Sequence, residues 1–215
     1  MKARVLSFGC LPSSLIRNQT QAFIDLVHRE IPRLSCQLTV LPAPHDVENN
    51  DHEVFTAASA AEVLYLAKLI LDNQIHAVVM EVSDLPLFPP EGLDILCAPP
   101  RFTPFDAYLN RQGNIMDEMD PGSRVGVLSN RSKSQMKHLW PDIDFIIMHG
   151  GVDKAMETHM RHSEIDGLVL PASATEHLGI QGIVAEIYEP GFILPGPGQG
   201  SLVVMGRAND EETRK

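Results

Sequence analysis

A chain of 215 residues with 44% hydrophobic and 21% charged residues can bury one sizeable core or two smaller ones. Its formal net charge of −11 argues against a nucleic-acid coat or an anionic membrane surface as partner. No apolar stretch approaches the length of a membrane span, and the opening MKARVLSFGC lacks a signal peptide's long apolar region, so a cytoplasmic protein is expected.

The segment ARVLSF (3–8) reads as a strand, followed by a helix from Ser14 to about Arg33 with Ile16, Phe23, Val27 and Ile31 on one stripe. CQLTVL (36–41) reads as a second strand, and the polar, aperiodic PAPHDVENNDHE (42–53) as a mobile loop. Ser59-x-x-Glu62 has the form of a capping box opening a helix to about Asn73, with Val63, Leu66, Ala67 and Ile70 inward. Strands are expected at 76–80 and 93–98, and the turn-rich run from Ala98 to Ser123 suggests a change of domain. A second alternation starts at Arg124: strand RVGVLS, helix NRSKSQMKHLW, strand DFIIMH, helix GVDKAMETHMRH, strand GLVL and a short helix SATEHLG. GSLVVMG (200–206) reads as one more strand, able to return to the first domain, before a polar tail. Strands alternating with helices predict parallel sheets covered by helices. The expected domains are 1–97 plus 197–215, and 98–196.

Four stretches could carry chemistry. MEVSDLP (80–86) ends a buried strand in two carboxylates and a serine; Ser and Asp are ordinary turn formers, yet Asp84 also falls where open α/β sheets place their ligands. GVLSNRSKSQ (126–135) sets Ser129 and Asn130 between strand and helix, with Arg131 and Lys133 beside amide groups that attract an anion. Capping by Ser129 or Asn130 with a solvated basic face accounts for the same residues. HGGVDKA (149–155) repeats strand, paired glycines and helix, so His149 and Gly150 could meet a ligand or form only a tight turn. LPGPGQGSL (194–202) lacks the ending of a phosphate loop and reads as a hinge or crossover. Ser13 and Ser14 can cap the first helix, and Ser13 is also a ligand candidate. His159 and His162 share a helix face without a third metal ligand marked by spacing. Cys10, Cys36 and Cys97 are odd in number and read as free thiols.

Taken together, these stretches resemble the first two domains of the porphobilinogen deaminase (hydroxymethylbilane synthase) family. SFGCLPSSL stands where the family has T-R-x-S-x-L-A. MEVSDLP followed by PEGLDIL stands for H-S-x-K-D-x-P and P-E-G-L, and PRFTPFDAYL for E-R-x-D-P-R-D-A. GVLSNRSKSQ tracks G-T-S-S-L-R-R-Q, MHGGVDKA tracks L-R-G-N-V-x-T-R, and LPGPGQGSL tracks L-P-A-P-G-Q-G-A-L. The stretch EIDGLVLPASATEHLG follows the family pattern as well.

The resemblance implies a two-domain α/β protein with mixed, mainly parallel sheets around an interdomain cleft, in the type II topology of periplasmic binding proteins. It implies a transferase of tetrapyrrole (porphyrin) biosynthesis that condenses porphobilinogen on a dipyrromethane cofactor. Asp84 matches the catalytic carboxylate. Ser13, Ser83, Ser129, Arg131, Lys133, His149 and Gly150 fall at substrate- or anion-binding positions, and no metal is implied. Several family cations are replaced: Ser83, Phe8, Ser132, His149, Ala155 and Phe105 stand in their places. Lys133 and Lys154 are nearby cations that could compensate. Each lost charge-assisted bond is worth about 1.5–3 kcal/mol, so porphobilinogen polymerisation by this chain alone is not expected. The family's third domain and its cofactor cysteine have no counterpart among the motifs, so no cofactor is expected. The rival expectations are a small-anion or pyrrole-carboxylate binding module and a non-catalytic partner of a pathway enzyme. A small carboxylate or pyrrole is the expected ligand, with a protein partner or a second copy of the chain left open.

Overall fold

The computed structural model describes residues 5–43, 60–161 and 164–214. They fall into two compact units, residues 5–43, 60–101 and 201–214 in the first and residues 102–161 and 164–200 in the second. The chain thus passes from one unit to the other after Arg101 and returns after Gly200.

The first unit is built on β1 (Val5–Cys10), β2 (Ser35–Val40), β3 (Ala77–Glu81), β4 (Leu93–Cys97) and β10 (Leu202–Arg207). They form one sheet in the order β2-β1-β3-β10-β4, with β1 parallel to β2 and β3 and β10 antiparallel to β3 and β4. β3 is buried throughout and β10 nearly so, hence their continuous apolar runs; edge strand β2 alternates. Helix α1 (Ser14–Glu30) starts at Ser13, whose Oγ accepts the Ile16 N–H at 3.2 Å. It buries Leu15, Ile16, Gln19, Thr20, Phe23 and Ile24, and Phe23 meets Phe8 edge to face at 5.5 Å. The expected stripe was set too far along the helix: α1 stops at Glu30, and Ile31 beyond it is 46% exposed. Helix α2 (Ala60–Leu71) buries Val63, Leu66, Ala67 and Ile70 as its periodicity predicts. Ser59 and most of the 42–53 loop lie outside the described residues.

The second unit contains β5 (Asp106–Asn110), β6 (Arg124–Val127), β7 (Asp144–Ile147), β8 (Gly167–Pro171) and β9 (Val184–Tyr188). Their order is β7-β6-β8-β5-β9, with β6 parallel to β7 and β8 and β5 antiparallel to β8 and β9. The arrangement repeats that of the first unit, a three-strand parallel group followed by one reversed strand and an edge. Helices α3 (Asn130–Leu139), α4 (Gly151–Arg161) and α5 (Ala172–Leu178) follow β6, β7 and β8; α6 (Glu211–Arg214) ends the first unit. Tyr108, Met116, Val125, Met136, Phe145 and Val169 lie in the core. Two strands depart from expectation. β5, every residue buried, lies in the stretch read as turn-rich, and β9 lies in a stretch assigned no element.

Candidate functional site

In the first unit, the parallel strands deliver their carboxyl ends to one edge, and β3 runs there straight into a one-turn 3-10 helix, Val82–Asp84. The Val82 N–H donates to Ser201 O at 2.9 Å and the Leu85 N–H to Val82 O at 3.2 Å; Pro86 then stops further pairing. The two acids of this turn have different fates. Glu81, 1% exposed, accepts from Gln19 Nε2 at 3.1 Å and from Ser83 Oγ at 3.2 Å, so it ties β3 to α1. Asp84 is 8% exposed at the end of the turn. Ser83, one of the ligand candidates, thus has its hydroxyl donating to Glu81. Ser13 serves α1 as its cap. Cys10 is fully buried, and burial pushes its thiol up, only partly opposed by Arg17.

In the second unit, β6 ends at the same kind of edge and hands over to α3 through Ser129. Its Oγ accepts the Ser132 N–H at 3.1 Å and lies 3.0 Å from Ser132 Oγ, so Ser129 is a helix cap. Arg131 does not stand free over this turn. Its Nη2 donates to both oxygens of Asp106, at 3.1 and 2.8 Å, and to Gln199 Oε1 at 3.2 Å, while Nη1 donates to Leu194 O. The Lys133 side chain, half-buried, has no hydrogen bond or ion pair among the described residues, while its backbone N–H donates to Ser129 O at 3.0 Å. After β7, Gly150 and Gly151 have φ of 88° and 73°, a left-handed pair that non-glycine residues would resist. His149 and Gly150 are exposed, at the start of α4. Lys154, considered a replacement cation, pairs with Glu157 at 3.0 Å, and Ala155 is buried.

Asp106 and Gln199 are the site residues that motif reading passed over. Asp106 opens β5 opposite Pro171, the last residue of β8, and so lies at the carboxyl edge of the parallel strands. His159, weighed as a metal ligand, is fully buried, and His162 lies outside the described residues. Among the described residues no group of three or more His, Cys, Asp or Glu could hold a metal, and no helix is long and apolar enough to cross a membrane.

A family model for "Porphobilinogen deaminase, dipyromethane cofactor binding domain" matches residues 6–215. The chain belongs to the porphobilinogen deaminase family. It is 29% identical over 208 residues to a porphobilinogen deaminase of Thermus thermophilus, covering 97% of this chain and 67% of the relative. The deaminase of a Roseiflexus species is 31% identical over 209 residues, with 97% and 69% covered. Among solved structures, the methionine-binding protein MetQ superposes with a TM-score of 0.54 at 9% identity, covering 97% of this chain and 85% of MetQ. A putative lipoprotein of Actinomyces odontolyticus reaches 0.56 at 11% identity, with 99% and 87% covered. At such identities the likeness is one of fold, the two-sheet α/β architecture of periplasmic binding proteins.

The deaminase model corrects one expectation outright. Its description is that of a domain binding the dipyrromethane cofactor, which points to a covalently bound cofactor where none was expected. The cofactor's acetate and propionate groups need N–H donors and cations. The starts of α3 and α4 present helix amide groups, and the Lys133 side chain and the Arg131 Nε–H have no partner among the described residues, so the donor set fits carboxylates.

Proposed function

We propose that this member of the deaminase family acts in tetrapyrrole biosynthesis, with Asp84 working on the pyrrole ring and the Ser129–Lys133 turn holding ligand carboxylates. The seat of Asp84 carries the reading: a nearly buried carboxyl on a one-turn helix at the carboxyl edge of β3. When ammonia leaves porphobilinogen, positive charge spreads to the pyrrole nitrogen. A carboxylate held at that point, with little water around it, stabilises the charge as it develops. Glu81, bound by Gln19 and Ser83, keeps the turn in place and leaves the ring chemistry to Asp84.

A bound dipyrromethane supplies the pyrrole end to which the next ring is joined. Its carboxylates would be held by Lys133, Arg131 and the amide groups at the starts of α3 and α4. The hold is weak, because Arg131 already pairs with Asp106 and Lys154 with Glu157. The expected behaviour is binding of pyrrole carboxylates with slow extension. The same paired Arg131 favours a second reading, a pyrrole-carboxylate binder or non-catalytic pathway partner.

The test incubates the purified chain with porphobilinogen, follows its consumption, and records the intact mass for covalent pyrrole units. Slow consumption that disappears in Asp84→Asn is the expected result. An Asp84→Asn protein as fast as the wild type would overturn the role of Asp84. Binding without consumption selects the second reading, and no binding removes both.

A further inference from the structure

Asp106 is a 2% exposed carboxylate with four hydrogen bonds. Oδ1 accepts from Arg131 Nη2 at 3.1 Å and Gln199 Nε2 at 2.8 Å, and Oδ2 from Arg131 Nη2 at 2.8 Å and Ser132 Oγ at 3.2 Å. The Gln199 amide is oriented without ambiguity. Its Oε1 accepts from the Gly196 N–H at 3.0 Å and from Arg131, while its Nε2 donates to Asp106. A reversed amide would set donors against donors. The cluster therefore holds one guanidinium and one carboxylate in direct contact, with their charges cancelled.

One donor of that guanidinium is left over. Nη1 serves Leu194 O and Nη2 serves Asp106, Ser132 and Gln199, whereas Nε–H has no hydrogen-bond partner among the described residues. The space beside it is kept by Gly196, where a Cβ would lie 3.8 Å from Nε. Arg131 is thus a directional donor with little net charge behind it.

We propose that Asp106 sets the ligand selectivity of this turn, excluding free doubly charged anions such as inorganic phosphate and admitting a carboxylate carried on a ring. The inference rests on the reading that the Ser129–Lys133 turn holds ligand carboxylates. Coulombic attraction grows with the ligand's charge, so a dianion loses most when the local cation is cancelled. A carboxylate depends more on directed hydrogen bonds, and the Nε–H and the α3 amide groups still provide those. Phosphate, more strongly hydrated, would give up its water without an opposing charge.

The test measures phosphate and porphobilinogen binding by calorimetry at low ionic strength for the wild type, Asp106→Asn and Asn130→Lys. Asp106→Asn should lower the preference for porphobilinogen over phosphate at least tenfold, by a gain in phosphate affinity. Asn130→Lys adds a cation at an exposed position at the start of α3 while leaving Asp106, Arg131 and Gln199 themselves unchanged, and should shift the preference in the same direction. It decides the matter should Asp106→Asn not fold. Unchanged phosphate affinity in the folded variants, or a wild type that binds phosphate as tightly as they do, overturns the proposal. Porphobilinogen binding to none of the three would count against the pyrrole reading alone, since the phosphate measurements still report on Asp106.

Discussion

His159 predicts an acid-sensitive fold and a substitution that improves it. The side chain lies on α4 at 0% exposure, and neither ring nitrogen has a hydrogen-bond partner among the described residues. Burial lowers its pKa below the ordinary value, and the nearby Arg111 guanidinium, whose Nη1 donates to the His159 carbonyl at 3.1 Å, lowers it further. The folded protein therefore holds the imidazole neutral, while the unfolded chain takes up a proton below about pH 6.5. Stability is retained above that pH and lost as the pH falls from about 6.5 toward the lower folded pKa, by up to about 1.4 kcal/mol per pH unit. An unpaired buried polar group costs about 1–3 kcal/mol, so His159→Leu should stabilise the protein by that order near pH 8. The corresponding rise in melting temperature is roughly 2–10 °C for a chain of this size. Urea unfolding of both proteins from pH 5 to 8 checks the idea, and the gap between them should widen as the pH falls. Parallel curves, or a variant less stable at pH 8, would refute the reasoning.

Three further outcomes follow from the second unit. Asp106→Ala leaves the Arg131 guanidinium, Ser132 and Gln199 without their common acceptor and should cost about 3–5 kcal/mol in urea unfolding. Gly167→Ala places a Cβ 2.3 Å from Cε2 of the fully buried Tyr108, which should cost at least about 1–3 kcal/mol by the same measurement. Ser129→Ala removes the α3 cap and should cost about 1 kcal/mol, where Ser129→Asp should cost almost nothing.

Much of the architecture was legible because single elements carry their own periodicity. α2 displays Val63, Leu66, Ala67 and Ile70 on one face, and the first four residues of β3, Ala77–Met80, are an unbroken apolar run. β5 escaped for a physical reason. Its buried residues Asp106, Ala107, Tyr108, Leu109 and Asn110 begin and end in polar side chains, and Phe102–Phe105 before it contains a proline. The burial of those ends depends on partners outside the strand, distant ones for Asp106 and both local and distant ones for Asn110. Asp106 is satisfied by Arg131 and Gln199, whereas Asn110 Oδ1 accepts the Gln112 and Asn114 N–H groups at 2.8 and 3.2 Å and its Nδ2 donates to Asp166 O at 3.2 Å. A strand whose polar ends are neutralised by the tertiary structure looks like a loop in sequence.

The site divides along the same line. Asp84 could be placed from local pattern alone, since a buried strand that ends in a turn must deliver the next residues to the edge of the sheet. The state of Arg131 could not. Counting cations in the motifs treats Arg131 as a surviving ligand for carboxylates, and nothing between positions 106, 131 and 199 forms a recognisable spacing. Their convergence is a property of the sheet: β5 runs antiparallel to β8, which brings Asp106 to the edge where β6 delivers Ser129 and α3. Once the carboxylate is there, the charge of the turn no longer follows from how many basic residues it contains. Substitutions at Asp106 should then alter anion binding as strongly as substitutions at Arg131, although motif reading assigns a ligand only to Arg131.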